Sequence, residues 1–252
     1  MLVSLDWLKK NLSDPNLVIL DTRPKPMFLY GHLESSQSLS IEQVVQFDQY
    51  GSNLVLDEEN FAELLSSLGI DDTKTVVVIG DFMDPSAARI VWTFLYFGHE
   101  RTFLLDSTIS NLQRNGFKFI KKTFTPLRTN FIPKINSTIR IDAETLKNNL
   151  DKFTILDART PQEFMGGHIP NSKLIPFTEG IGYDEKIFKD SEFLQNLFSQ
   201  QMISKTNPII CYCMHGHRAS SLFLQLKIAG FENVKLYDGS FVEWYGRRFP
   251  LE

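Results

Sequence analysis

The sequence predicts an α/β protein of two similar domains in tandem, each a mostly parallel open sheet flanked by helices. Two observations carry that prediction: the chain repeats itself once, and within each copy short apolar runs alternate with helical patterns. Leu20-Asp21-Thr22-Arg23 with Gly31-His32-Leu33 recurs 136 residues later as Leu156-Asp157-Ala158-Arg159 with Gly167-His168-Ile169. Further on, VVVIGDFMDPSAARIVWTFLYFGHERTFLLD recurs as IICYCMHGHRASSLFLQLKIAGFENVKLYDG, 132 residues apart. That period lies far above the ~20–50 residues of stacked repeat units, so each copy is read as a domain. A chain of 252 residues, 42% hydrophobic and 22% charged, is long enough for two cores of ordinary size.

The elements follow in the same order in both copies. The opening MLVSLDWLKKNLSDPN lacks the charged start and apolar centre of a signal peptide, and reads as a helix with Ser4 as N-cap and Leu5, Leu8 and Leu12 on one face. Leu17–Leu20, Thr75–Ile79 and Thr102–Leu105 are apolar runs of the length of buried parallel strands. Helical patterns cover Asn60–Leu68, Ser86–Phe97 and Ser110–Asn115, and Gly98 follows the second of these as a C-terminal stop. In the second copy, strands are expected at Thr154–Leu156, Pro208–Tyr212 and Val234–Tyr237, with a helix from Arg218 to Ala229 stopped by Gly230. Strands alternating with helices imply parallel pairing. The aperiodic KKTFTPLRTNFIPKINST, with Pro126 and Pro133, reads as the link, giving domains at 1–122 and 138–252 joined by 123–137.

Charge and composition exclude some function classes. Residues 1–125 hold 11 Lys+Arg against 16 Asp+Glu, and residues 126–252 hold 15 against 14. The asymmetry favours anion handling in the second half, but is too small for a nucleic-acid surface. No apolar run reaches the ~18 residues of a membrane span. Two cysteines in one strand-like segment cannot form a disulfide framework, so a reducing compartment, the cytoplasm, is expected.

The chemistry is expected at Cys213. In open parallel sheets ligands bind beyond the carboxyl ends of the strands, where a loop turns into a helix, and Cys213 falls there. The first copy has Asp81 at the matching position, a group that cannot form a sulfur–sulfur bond. Cys213-Met214-His215-Gly216-His217-Arg218 has the length to wrap its amides around the sulfur, with Gly216 permitting the bend. Amides and a helix N-terminus stabilise an anion, which favours the thiolate, and Arg218 and protonated His215 or His217 add to that field. Cys211 reads as a small buried hydrophobe, and His32 and His168, present in both copies, as fold determinants.

LDARTPQEFMGGHIPNS, CYCMHGHRAS and LYDGSFVEW, in two copies of which only the second bears the cysteine, resemble the tandem-domain rhodanese family of sulfurtransferases across essentially the whole chain. The resemblance implies that Cys213 attacks the outer sulfur of thiosulfate or 3-mercaptopyruvate. The resulting persulfide passes its sulfur to a thiol, to cyanide or to a thioredoxin-like protein. It also implies that Arg159 helps Met214, His215, Gly216, His217 and Arg218 bind the donor, and that no cofactor or metal is needed. The basic loop leans towards the thiosulfate dianion, in which case kcat/KM for thiosulfate falls as pH rises through the histidine range.

Three other readings compete. Cysteine phosphatases also hold a thiolate in an anion loop, but with five residues between Cys and Arg, where Cys213 and Arg218 enclose four. A metal site built from Cys211, Cys213, His215 and His217 draws all its ligands from one short stretch, unlike structural zinc sites. A non-catalytic interaction protein has no use for an intact cysteine loop.

Overall fold

The computed structural model describes residues 1–183 and 185–252. The chain forms two compact units, and their composition does not follow chain order. The first holds residues 1–44, 56–135 and 183–187. The second holds 45–55, 136–182 and 188–252.

The first unit is built on a five-stranded parallel sheet in the order Leu2–Val3, Thr102–Thr108, Thr75–Gly80, Leu17–Asp21, Ser36–Ser38. Its middle strand, TVVVIG, is buried at all six positions, as a strand covered on both faces must be. Helix Ser86–Tyr96 buries every residue from Ala87 to Phe94. Chain reversal after it requires Gly98, whose φ is +83° and where a Cβ would stand 2.5 Å from the Lys134 carbonyl oxygen. One face of the sheet packs Ile19, Val77, Ile79 and Leu105 against Leu8, Ile109 and Leu112. The first helix, Leu5–Asn11, is capped by Ser4, whose Oγ accepts from the Trp7 amide at 3.1 Å. Leu8 is the buried residue of its apolar stripe.

The second unit repeats the scheme. Its four parallel strands run Ser172–Leu174, Thr154–Asp157, Ile209–Tyr212, Val234–Leu236, and Arg140 extends the sheet by a single parallel bridge to Leu236. Helix His217–Ile228 buries Ala219 to Leu226 and ends before Gly230, at φ +83°. Ile155, Ile210, Tyr212 and Tyr237 form a core with Ile141, Leu146, Ile169 and Trp244. The predicted α/β class and tandem arrangement of parallel sheets are those of the structure. No helix among the described residues is long and apolar enough to cross a membrane.

Two segments lie in the unit formed mainly by the other repeat. Residues 45–55 form an antiparallel hairpin, Val45–Phe47 with Asn53–Val55, within the second unit. Within the first unit, Thr108 N donates to Glu185 O at 3.2 Å, Ile187 N to Asp106 Oδ1 at 3.1 Å, and Arg114 pairs with the Glu185 carboxylate.

A buried ion pair recurs at the same place in both sheets. Arg159 Nε meets Asp157 Oδ1 at 3.0 Å and Oδ2 at 2.9 Å, while Nη2 donates to Asp157 Oδ2 at 2.7 Å and to the Gly167 carbonyl at 2.8 Å. Arg23 makes the same bonds to Asp21 and to the Gly31 carbonyl. The histidines that follow are matched too: His32 stacks on Phe28 at 3.8 Å and His168 on Phe164 at 3.7 Å. Each ring Nδ1 lies at hydrogen-bond distance from the phenylalanine's own carbonyl. Removing one partner of a buried pair strands a desolvated charge and costs about 3–5 kcal/mol. Arg23→Ala and Arg159→Ala are both expected to lower the unfolding free energy, read from urea titrations, by such an amount; wild-type stability in either variant would contradict this role.

Candidate active site

Cys213 stands directly after strand Ile209–Tyr212, and three hydrogen bonds hang its loop on the start of helix Ser240–Gly246. Cys213 N donates to Ser240 Oγ at 3.2 Å, Cys213 O accepts from Phe241 N at 3.0 Å, and Met214 O accepts from Val242 N at 3.2 Å. Ser240 takes a left-handed φ of +55°, unusual for a residue with a Cβ, and its Oγ donates to the Tyr237 carbonyl at 2.9 Å. Backbone strain of that kind persists where the surroundings fix it, and here it lies beneath the loop.

Gly216 makes the turn at φ +86° and its amide donates to Cys213 Sγ at 3.1 Å. The helix His217–Ile228 begins at the next residue. The sulfur thus receives a hydrogen bond aimed at the position where negative charge sits in a thiolate, next to the positive end of a helix. Cys213 is 1% exposed. Cys211, two residues earlier, is fully buried, and burial pushes its thiol well up, so it stays protonated.

Arg218 grips Glu163 with two parallel bonds, Nη1 to Oε2 and Nη2 to Oε1, both 2.7 Å. Its guanidinium also interacts with Cys213, and Glu163 first, then the sulfur, push it up against the opposing effect of burial. Glu163 is itself placed by a capping box: its carboxylate accepts from Thr160 N at 3.0 Å, and Thr160 Oγ1 accepts from Glu163 N at 3.3 Å. The Arg218 bonds above all hold the Glu163 carboxyl down to about 2.

The two histidines of the loop face the hairpin 45–55. Partial burial, and then the Arg218 charge, hold the His215 imidazole below its ordinary range, despite a hydrogen bond to the Gly51 backbone that acts the other way. That direction lowers the protonated fraction of His215, and with it the positive charge expected of this side chain. His217 Nε2 lies 2.7 Å from Asn53 Nδ2.

Arg159 is placed differently from the donor-binding role that the resemblance implies. It is 1% exposed, committed to Asp157 and Gly167, and its guanidinium carbon stands 4.0 Å from the centre of the Phe241 ring. The structure thus sets the Gly216 amide and the Arg218 charge against Cys213, turns His215 and His217 towards the hairpin, ties Met214 to Val242, and commits Arg159 to Asp157 and Gly167. Sequence reasoning passed over Glu163, Ser240, Gly51 and Asn53. Thr160 and Glu163 carry a legible signal, the capping-box spacing, whereas the others come from distant segments with none.

In the first unit Asp81 occupies the matching strand end, and desolvation raises its carboxyl while Arg23 opposes the shift. Among the described residues, no group of three His, Cys, Asp or Glu side chains is arranged to hold a metal ion. Both cysteines are free.

The rhodanese-like domain family matches residues 4–115 and 142–247. The chain is 30% identical to the sulfur carrier protein TtuD of Thermus thermophilus, over 97% of its own length and 93% of the relative's. It is 29% identical to human 3-mercaptopyruvate sulfurtransferase, over 99% and 93%. The crystal structure of SseA, a 3-mercaptopyruvate sulfotransferase by its description, from Escherichia coli, superposes with a TM-score of 0.84 at 26% identity, covering 96% of this chain and 98% of that one. With one family matched in each repeat, and relatives that align from end to end with the same two-sheet architecture, the chain belongs to the rhodanese-like family as a tandem pair of domains.

Proposed function

We propose that the protein is a sulfurtransferase that carries a sulfane sulfur on Cys213, taking it from thiosulfate or 3-mercaptopyruvate and passing it to a thiophilic acceptor. The observation that carries this reading is the Gly216 amide bonded to Cys213 Sγ at the head of a helix, with Arg218 beside the sulfur. The names of the relatives support it. The Cys213 thiolate attacks the outer sulfur of thiosulfate, and the S–S bond breaks with its electron pair leaving on sulfite. With 3-mercaptopyruvate the C–S bond breaks instead, and the enolate left behind takes up a proton as pyruvate. The acceptor nucleophile then attacks the outer persulfide sulfur and regenerates the thiolate.

Arg218 and the loop amides hold the donor's charge in this reading, and Arg159 acts by fixing the strand end beneath them. The covalent intermediate is the protein's own persulfide, so the chemistry calls for no cofactor. A thiol, cyanide or a thioredoxin-like protein serves as acceptor, and the carrier name borne by one relative supports a protein acceptor. The cytoplasm, a reducing compartment, suits a mechanism that needs free thiols.

Intact mass after incubation with thiosulfate or 3-mercaptopyruvate tests the proposal. The wild type is expected to gain one sulfur atom and lose it to an added thiol, Cys213→Ser to gain none, and Cys211→Ser to load like the wild type. Loading on Cys211 instead would overturn the assignment.

The Glu163–Arg218 pair gives a pH signature. A carboxyl whose folded value lies near 2, against an ordinary 4.5, stabilises the fold fully above about pH 4.5 and loses that contribution as pH falls towards 2. Glu163→Gln lacks the titrating group, so the stability gap between wild type and variant is expected to be widest above pH 5 and to narrow as pH falls to 3. Urea midpoints across that range check it; a gap independent of pH would show that the pair adds nothing to stability.

A further inference from the structure

The hairpin 45–55 is tied to the second unit at four places. Its tip is pre-shaped by Asp48, whose Oδ1 accepts from Tyr50 N at 2.8 Å and Ser52 N at 2.9 Å, and whose carbonyl accepts from Gly51 N at 3.1 Å. Val55 N donates to Asp238 Oδ2 at 2.9 Å, and Asp238 Oδ1 accepts from Arg140 Nε at 2.9 Å. The Tyr50 ring packs so closely on Gly246 that a Cβ there would come within 2.6 Å of it, and the Arg247 guanidinium stands 5.5 Å from the ring centre. The remaining two ties go to the cysteine loop: the Gly51 backbone to His215, and Asn53 to His217 at 2.7 Å. Four anchors for an eleven-residue segment exceed what covering a surface requires. Both ties to the loop fall on the residues that flank Gly216, the glycine whose amide touches the sulfur.

We propose that Asn53 is a positioning residue for sulfur transfer: through His217 it fixes the first turn of helix His217–Ile228, and with it the Gly216 amide and the Arg218 guanidinium around Cys213. This deepens, and rests on, the sulfur-transfer reading above. His217 opens the helix, one residue after the amide that donates to Cys213 Sγ and one before the arginine whose charge acts on Cys213. Gly216 lacks a side chain to steady its turn and takes no side-chain cap. The Asn53 amide supplies that restraint from outside. Asn53 itself needs no contact with the donor. Its effect is on the geometry of attack, where a misplacement of about 1 Å costs up to about a hundredfold in rate.

The test is a double-mutant cycle read by single-turnover loading of Cys213 at saturating thiosulfate, followed by intact mass. Wild type, Asn53→Ala, the shape-preserving Asn53→Leu, His217→Ala and the Asn53→Ala/His217→Ala double variant are compared. Their melting temperatures and KM values are measured alongside. Both Asn53 variants are expected to load about tenfold more slowly, with KM changed less than the rate. Asn53→Ala is expected to add little to His217→Ala, because the two act through one bond. In Asn53→Ala the 15N shifts of the His217 ring are expected to move. Wild-type loading in both Asn53 variants would overturn the proposal, as would equal slowing by Asn53→Ala in both backgrounds, or slowing that merely tracks a lower melting temperature. If the wild type itself gains no sulfur on Cys213, the sulfurtransferase reading falls and this inference falls with it.

Discussion

A guanidinium and a carboxylate sealed together two residues apart, at the end of a central strand, set the geometry that the rest of each domain depends on. Asp157 lies level with Tyr212 across the sheet, and Tyr212 is the residue before Cys213. Arg159 in turn holds the Gly167 carbonyl, so the intervening turn, which carries Glu163, cannot drift from the strand end. Arg218 finds its carboxylate partner because that turn is fixed. Burying such a pair gains little net energy over an apolar pair of the same volume. Its value here is positional, since a planar guanidinium with three acceptors admits one orientation. The same bonds in the first domain, where no thiol follows, show that the pair serves the fold before it serves any reaction.

The two strand ends then diverge through one residue. Asp81 and Cys213 follow matching central strands, yet the first loop offers a carboxylate that desolvation discourages from ionising. The second offers a sulfur with an amide pointed at it and an arginine alongside. The two copies share the scaffold and differ in the group they place at the strand end.

Much of this was legible in the sequence, and the boundary of legibility has a physical basis. Central strands such as TVVVIG are covered on both faces and so read as unbroken apolar runs, and the helices packed on them carry the complementary pattern. The edge strands Ser36–Ser38 and Ser172–Leu174 have the compositions SQS and SKL, too short and too polar to read as apolar runs, and leave no such trace. The place of Cys213 between strand end and helix start was legible because strand end, loop and helix start are contiguous. The roles of Arg159, His215 and His217 were not, because a charge's function depends on what faces it. Sequence shows a titratable group, while only the fold shows that Arg159 is sealed against Asp157 or that the Gly51 backbone and Asn53 stand over the histidines. Contacts separated by 164 residues, as between Asn53 and His217, leave no local pattern to read.

The exchange of residues 45–55 and 183–187 between units bears on how such a protein can evolve. A duplicated gene whose copies remain self-contained can shed either one. Here the domain with the thiol draws eleven residues of its own body from the other half of the gene. Loss of the first copy would therefore remove part of the unit that holds the thiol. Selection on the second unit then preserves the whole tandem arrangement, the first sheet included.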